Sequence, residues 1–258
     1  MSTLQHVAGF LRYYLTASNR HDLHSPFLYQ LNEAVLRRDR IVNDNIAVEN
    51  IRKSLLRDHT LIPVEDYGAG SLLGVLRDRK FSEIAKHSSK TPRYGRLLYR
   101  LVKYLKPENM LELGTAAGIS ALYQCTGYPQ GKLYTLEGNR VLAERASKLL
   151  DPYNVEVIAG RFEDNLPTLL EKGLSWNYVF IDGNHRREPV LEYFRMVLPH
   201  LAQEAVVIVD DINWSDSMKL AWSELIADSR VQVSVDLYQL GLLFFRPGLS
   251  KQDFCVRY

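Results

Sequence analysis

Residues 110–120 read MLELGTAAGIS. The apolar run Met110–Leu113 has the look of a strand. It ends in Gly114 and turns through Thr115, Ala116, Ala117 and Gly118 into a helical pattern. Small residues in such a turn let backbone approach a ligand at the carboxyl end of the strand. In a doubly wound sheet that is the switch point where ligands sit.

Further runs follow the same rhythm. Leu133–Leu136, Val155–Ile158, Tyr178–Ile181 and Val206–Val209 are apolar runs, broken only by Thr135 and Glu156, which suits strands covered on both faces. Between them lie helical patterns such as Arg140–Leu150 and Glu188–Leu201. The second carries Val190, Leu191, Phe194, Val197, Leu198 and Leu201 at three- and four-residue steps. Strand and helix alternating at this spacing predict a doubly wound α/β sheet. Val231–Leu237 and Leu242–Arg246 have no helix between them and read as a hairpin closing one edge.

Residues 1–87 read differently, as a mostly helical extension serving as a lid or dimer surface. Val7, Phe10, Leu11, Tyr14 and Leu15 recur at helical spacing. Ser25-Pro26 is a helix start, with Pro26 at the first position. Asp66–Ser71, DYGAGS, reads as a loop within a mobile stretch near Pro63–Arg79. Tyr94–Leu105 is amphipathic, with Leu97, Leu98, Leu101, Val102 and Leu105 on one side. Residues 88–258 form the ligand-binding domain.

The 258 residues are 46% hydrophobic and 24% charged, an ordinary globular balance. The two cysteines, Cys125 and Cys255, make neither a metal cage nor a disulfide framework. Arg12 interrupts the first apolar stretch, so no secretory signal is read, and no run nears the ~20 residues of a membrane span. A cytoplasmic protein is expected. The formal net charge is +2, but ten basic and two acidic residues lie between Arg77 and Lys106. That stretch is either a solvated helix face or a docking surface for an anionic acceptor or partner.

Glu137 ends the second strand, 23 positions after Gly114, where a carboxylate suits two ribose hydroxyls. A dinucleotide loop would carry glycine where Ala116 stands. Glu112, just before the loop, would repel a pyrophosphate and attract the ammonium of a methionine moiety. These residues favour S-adenosylmethionine over NAD.

Glu112-Leu113-Gly114-Thr115-x-x-Gly118-x-Ser120 resembles motif I of class I S-adenosylmethionine-dependent methyltransferases. Thr91–Leu98, TPRYGRLL, is similar to the helix entry of the catechol O-methyltransferase-like branch, and the closing hairpin to the reversed last strand. The resemblance covers about two thirds of the chain. It implies a Rossmann-like sheet of seven strands. It also implies cofactor contacts from Glu112, Gly114, Thr115, Ala116, Gly118, Ser120, Glu137, Gly138, Arg161, Phe162 and Asp182. Phe162 would pack on adenine or, equally, in the core. Glu163 would face the exocyclic amine.

Two predicted strand ends carry polar clusters, Asp182-Gly183-Asn184-His185 and Asp210-Asp211-Ile212-Asn213-Trp214. Asp182, Asp210 and Asp211 are oxygen ligands of the kind Mg²⁺ takes. The resemblance to a sugar O-methyltransferase branch, with Asp-Gly-x-His and an acidic pair, makes His185 a general base beside Asp182. The bland reading of His185 is a structural histidine. Asp211 and Ser215 read equally as caps, Trp214 and Trp222 as packing residues, and His21 and His24 as surface or capping groups. The expected activity is O-methylation of a small molecule, with or without a divalent metal. The alternatives are nucleic-acid methylation, against which no recognition module is visible, and a non-catalytic binding module.

Overall fold

The computed structural model describes residues 3–18, 25–37, 45–66 and 75–258. The His21 and His24 readings, and the DYGAGS run beyond Asp66, lie outside these residues. The helices are α1 (Thr3–Thr16), α2 (Pro26–Leu31), α3 (Ile46–Leu55), α4 (Phe81–Ser88), α5 (Pro92–Leu105), α6 (Ile119–Gly127), α7 (Arg140–Leu150), α8 (Phe162–Leu170), α9 (Arg187–Val197) and α10 (Asp216–Ala227). The strands are β1 (Leu61–Asp66), β2 (Val75–Lys80), β3 (Asn109–Leu113), β4 (Lys132–Glu137), β5 (Val155–Ala159), β6 (Trp176–Ile181), β7 (Leu201–Asp210), β8 (Val233–Asp236), β9 (Leu240–Phe244) and β10 (Gln252–Cys255). The fold is mixed α/β with mostly parallel strands and flanking helices, Rossmann-like as expected.

Two compact units divide the chain. Met1–Arg38, Glu108–Leu111 and Leu170–Tyr258 make the first; Asp39–Pro107 and Glu112–Leu169 make the second. In the first unit the strand order is β10-β8-β9-β7-β6. β6 and β7 run parallel, with Tyr178 opposite Val206 and Ile181 opposite Val209. Tyr178–Ile181 and Val206–Val209 are all buried, which explains why both read as unbroken apolar runs. β9 is antiparallel to both β7 and β8, the reversed strand that the hairpin pattern predicts. The hairpin does not close the edge, however. β10 lies beyond it, parallel to β8, and adds a strand to the seven expected. Trp222 of α10 packs on Gly241, where a Cβ would come within 2.4 Å of the indole. That confirms it as a packing residue.

In the second unit β4 and β5 are parallel, Leu133 opposite Val155 and Glu137 opposite Ala159. Asn139 caps α7 by accepting from the Leu142 amide at 3.1 Å. Gly95 lets α5 close on α6, since a Cβ there would fall 2.2 Å from the Tyr123 ring. Tyr123 donates to Glu49 at 2.7 Å and Arg96 pairs with the same carboxylate at 2.9 Å. One residue of the basic stretch is therefore engaged in a partly buried network with Glu49.

One expectation for the N-terminal part needs correction. Within Pro63–Arg79 the described residues are strands rather than loop. They form the antiparallel pair β1–β2, with Leu61 opposite Lys80 and Ile62 opposite Arg79. Helix α1 forms where predicted, and α2 starts at Pro26 under a Ser25 cap. Yet the apolar face of α1 is turned outward. Val7, Phe10, Leu11, Tyr14 and Leu15 are exposed, while Tyr13 and Ala17 are buried.

Candidate functional site

In the second unit the loop after β3 has three residues with left-handed backbone: Gly114 (φ 112°), Ala116 (φ 46°) and Gly118 (φ 78°). For alanine this conformation carries strain and needs an external tie. Glu137 supplies it, its Oε2 accepting the Ala116 amide at 2.7 Å while Oε1 accepts the Asn139 amide at 2.9 Å. The loop's entry is pinned as well, with the Gly114 and Thr115 amides donating to the Leu136 carbonyl. A carboxylate has room for about four hydrogen bonds, so Glu137 retains capacity for two more. Burial raises its carboxyl pKa against the pull of the two amides.

Glu112 is placed otherwise than its position in sequence suggests. It is fully buried and accepts from Gln124 Nε2 and Thr135 Oγ1, each at 2.6 Å. Ser120 also bonds to it. Thr135 gives its proton to Glu112, so the 2.6 Å contact with Thr115 is donated by Thr115. The side chains of Thr115 and Ser120 thus serve this interior chain. Burial pushes the Glu112 carboxyl up to about 7. Gly118 caps α6 against Leu149, 3.3 Å from a built Cβ, whereas Gly138 faces open space.

Gly160 follows β5 with φ 130°, and its amide donates to the Glu137 carbonyl at 2.9 Å. Arg161 is exposed and its guanidinium lies 3.6 Å from Glu163. Phe162 is half-buried at the start of α8 rather than locked in the core.

The first unit holds the second constellation. Asp182 follows β6 and Asp210 ends β7. Between them stands His185, whose Nε2 is 3.9 Å from Asp182 and whose Nδ1 is 4.0 Å from Asp211. Asn184, at φ 57°, makes the turn that delivers His185, its side-chain Nδ2 donating to the Tyr193 hydroxyl at 3.3 Å. Donor atoms of Asp182, His185 and Asp210 lie within 4.8 Å of one another. Asp211, expected beside Asp182 and Asp210, is not part of this group. Asp211 has left-handed backbone, φ 54°, and its carboxylate goes to the other side of the imidazole. Ser215 caps α10 through the Met218 amide, as expected. Trp214 is 59% exposed and is not the packing residue its neighbours suggest.

Residues 111–212 match the family model of a methyltransferase domain. The chain is 34% identical over 129 residues to a catechol O-methyltransferase of Niastella koreensis, covering 48% of this chain and 57% of that protein. It is 39% identical over 84 residues to a transmembrane O-methyltransferase of Homo sapiens, covering 30% of this chain and 29% of that one. The chain thus spans little more than half of the first curated relative. Among solved structures it is similar to the O-methyltransferase TomG of Streptomyces achromogenes, involved in tomaymycin synthesis and solved with S-adenosylmethionine. The TM-score is 0.55 at 26% identity, over 62% of this chain and 82% of that one. No described helix is long and apolar enough to cross a membrane. Residues 111–212 thus match a methyltransferase-domain model, and the chain is similar to O-methyltransferases over part of its length.

Proposed function

We propose that the chain transfers the methyl group of S-adenosylmethionine to a hydroxyl oxygen of a small molecule. The observation that carries this reading is the Glu137 carboxylate. It is tied to the glycine loop by the Ala116 amide, also accepts the Asn139 amide, and still has lone pairs for two ribose hydroxyls. That donor set fits the nucleoside end of the cofactor. Gly114, Ala116 and Gly118 would pass backbone along the methionine and ribose, and Arg161 and Phe162 would border the adenine. S-adenosylmethionine supplies an electrophilic methyl on a positively charged sulfur. The protein's share of the chemistry is to position the acceptor and remove its proton.

His185 is the group for that proton. Its ring is half-exposed, so a hydroxyl can reach it, and two carboxylates flank the ring that takes the charge. Asp182 and Asp210 offer oxygen ligands suited to Mg²⁺, with water or acceptor oxygens completing the shell. Asp211 lies on the other side of His185, outside that donor group. An ion held by Asp182 and Asp210 would add acidification of the acceptor hydroxyl. Residues 1–87 serve the acceptor side or a dimer contact in this reading. Turnover assayed for His185→Ala and Asp182→Ala, with and without EDTA, tests the acceptor half. Loss in both supports it, and unchanged turnover in both removes the base and the metal together.

A further inference from the structure

The proposed chemistry makes no use of Glu112, a fully buried carboxyl in the second unit. Its bonds tie it to both ends of the glycine loop. From α6, Ser120 bonds to it and Gln124 Nε2 donates at 2.6 Å. From β4, Thr135 Oγ1 donates at 2.6 Å and in turn accepts from the Thr115 hydroxyl of the loop itself. All four of these side chains are buried. The cluster therefore lies between the loop and the sheet, out of reach of solvent.

These partners bring Glu112 no positive charge. Ser120, Gln124, Thr115 and Thr135 are neutral. Cys125, on the same helix as Gln124, is pushed up to about 12 by burial and keeps its proton. The charge that reaches Glu112 from the end of β4 is a second carboxylate, Glu137. The Gln124 oxygen is itself buried without a donor, so the ionised cluster is one donor short. A carboxyl among such neighbours keeps its proton to higher pH than a free one, and burial brings this one to about 7. A cation seated on the loop would reverse the balance. Its charge favours the ionised carboxyl, and screening is weak at a buried site. Methyl transfer removes just such a cation. S-adenosylmethionine carries a sulfonium, an ammonium and a carboxylate and is positive overall. S-adenosylhomocysteine has lost the sulfonium charge and is neutral overall.

We propose that Glu112 discriminates the methyl donor from the spent product by charge, giving up its proton to solvent when S-adenosylmethionine seats on the loop and keeping it when S-adenosylhomocysteine does. The proposal rests on the methyl-transfer reading and deepens it, by assigning a residue to the exchange of product for donor. The linkage is reciprocal. Because donor binding releases a proton, raising the pH tightens the donor. The product, neutral overall, gains no such advantage. Once transfer removes the sulfonium charge, Glu112 takes a proton back from solvent, and the product is left without an attraction that the donor enjoyed.

The test titrates the full chain calorimetrically with S-adenosylmethionine and, separately, with S-adenosylhomocysteine. Titrations run near pH 6 and near pH 7.5, each in two buffers of different ionisation enthalpy, so that affinity and proton release are read together. The expected result is that the ratio of donor to product affinity rises at least about threefold over this range. The donor should also release more protons than the product. In Glu112→Gln both effects should vanish, while titration of the ligand's own ammonium is common to parent and variant and drops out of the comparison. Thr135→Val keeps Glu112 but deletes a donor to its ionised form, so the rise should move to higher pH. That variant, with proton release by the parent, keeps the test alive should Glu112→Gln fail to fold. A ratio independent of pH in the parent, equal proton release by the two ligands, a rise that survives Glu112→Gln, or one unmoved by Thr135→Val overturns the proposal. Failure of S-adenosylmethionine to bind at either pH sinks the methyl-transfer reading and this proposal with it. Donor binding with a flat ratio overturns the proposal alone.

Discussion

Glu137 Oε2 accepts the backbone amide of Ala116 at 2.7 Å, joining the end of one strand to the loop that follows another. The bond holds an alanine in left-handed backbone and leaves the carboxylate aimed at the same loop. Glu137→Gln keeps an acceptor for one amide but loses the charge. Charge-assisted bonds contribute about 1.5–3 kcal/mol each. Glu137→Ala should therefore weaken S-adenosylmethionine at least about tenfold, with Glu137→Gln in between, measured by calorimetry.

Gly118 and Gly138 give a paired test of the loop. Gly118 sits at φ 78° with Leu149 only 3.3 Å from a built Cβ, while Gly138 has nothing within 4 Å. Gly118→Ala should cost about 1–2 kcal/mol in urea unfolding, from left-handed strain and crowding. Gly138→Ala should leave stability within about 0.5 kcal/mol of the parent.

Glu112 makes stability fall with rising pH. Its folded pKa is about 7 against an ordinary 4.5, so the folded state keeps a proton that the unfolded chain gives up between those values. The penalty is absent below the ordinary value. It grows as pH rises toward 7 and then levels off, at an order of 3 kcal/mol. Glu112→Gln removes this titration. The melting temperature of the variant relative to the parent should be higher at pH 8 than at pH 5. An equal offset at both pH values would show that Glu112 does not titrate in this range.

Most of the large sheet was readable because its strands carry apolar runs, unbroken where both faces are covered, as in Tyr178–Ile181 and Val206–Val209. β1 and β2 were not, because Pro63 and the charged run Arg77–Lys80 show neither alternation nor an apolar run. β10 is four residues, Gln252–Cys255, with no pattern to detect. The spacing of α1 revealed a helix but not which face is buried. That is set by Tyr13 anchoring to the distant Val256 carbonyl. At the site, Glu137 was legible from its place at a strand end. The sequestering of Glu112 by Gln124 and Thr135 depends on side chains 12 and 23 positions away. The placing of Asp211 across the His185 ring from Asp182 goes with one left-handed residue, which an aspartate does not announce.

Arg96 tests the basic stretch. Its guanidinium is 2.9 Å from Glu49, which also accepts from Tyr123. Arg96→Glu places two carboxylates together in that network. It should lower the melting temperature by several degrees and leave acceptor KM unchanged once the protein is folded. A raised KM with intact stability would instead assign Arg96 to acceptor binding.

The most direct measurement is calorimetric titration of the full chain with S-adenosylmethionine. One-to-one binding that Glu137→Ala weakens is the result expected if this carboxylate and its glycine loop hold the methyl donor. No binding at millimolar ligand, or binding indifferent to Glu137→Ala, would contradict it.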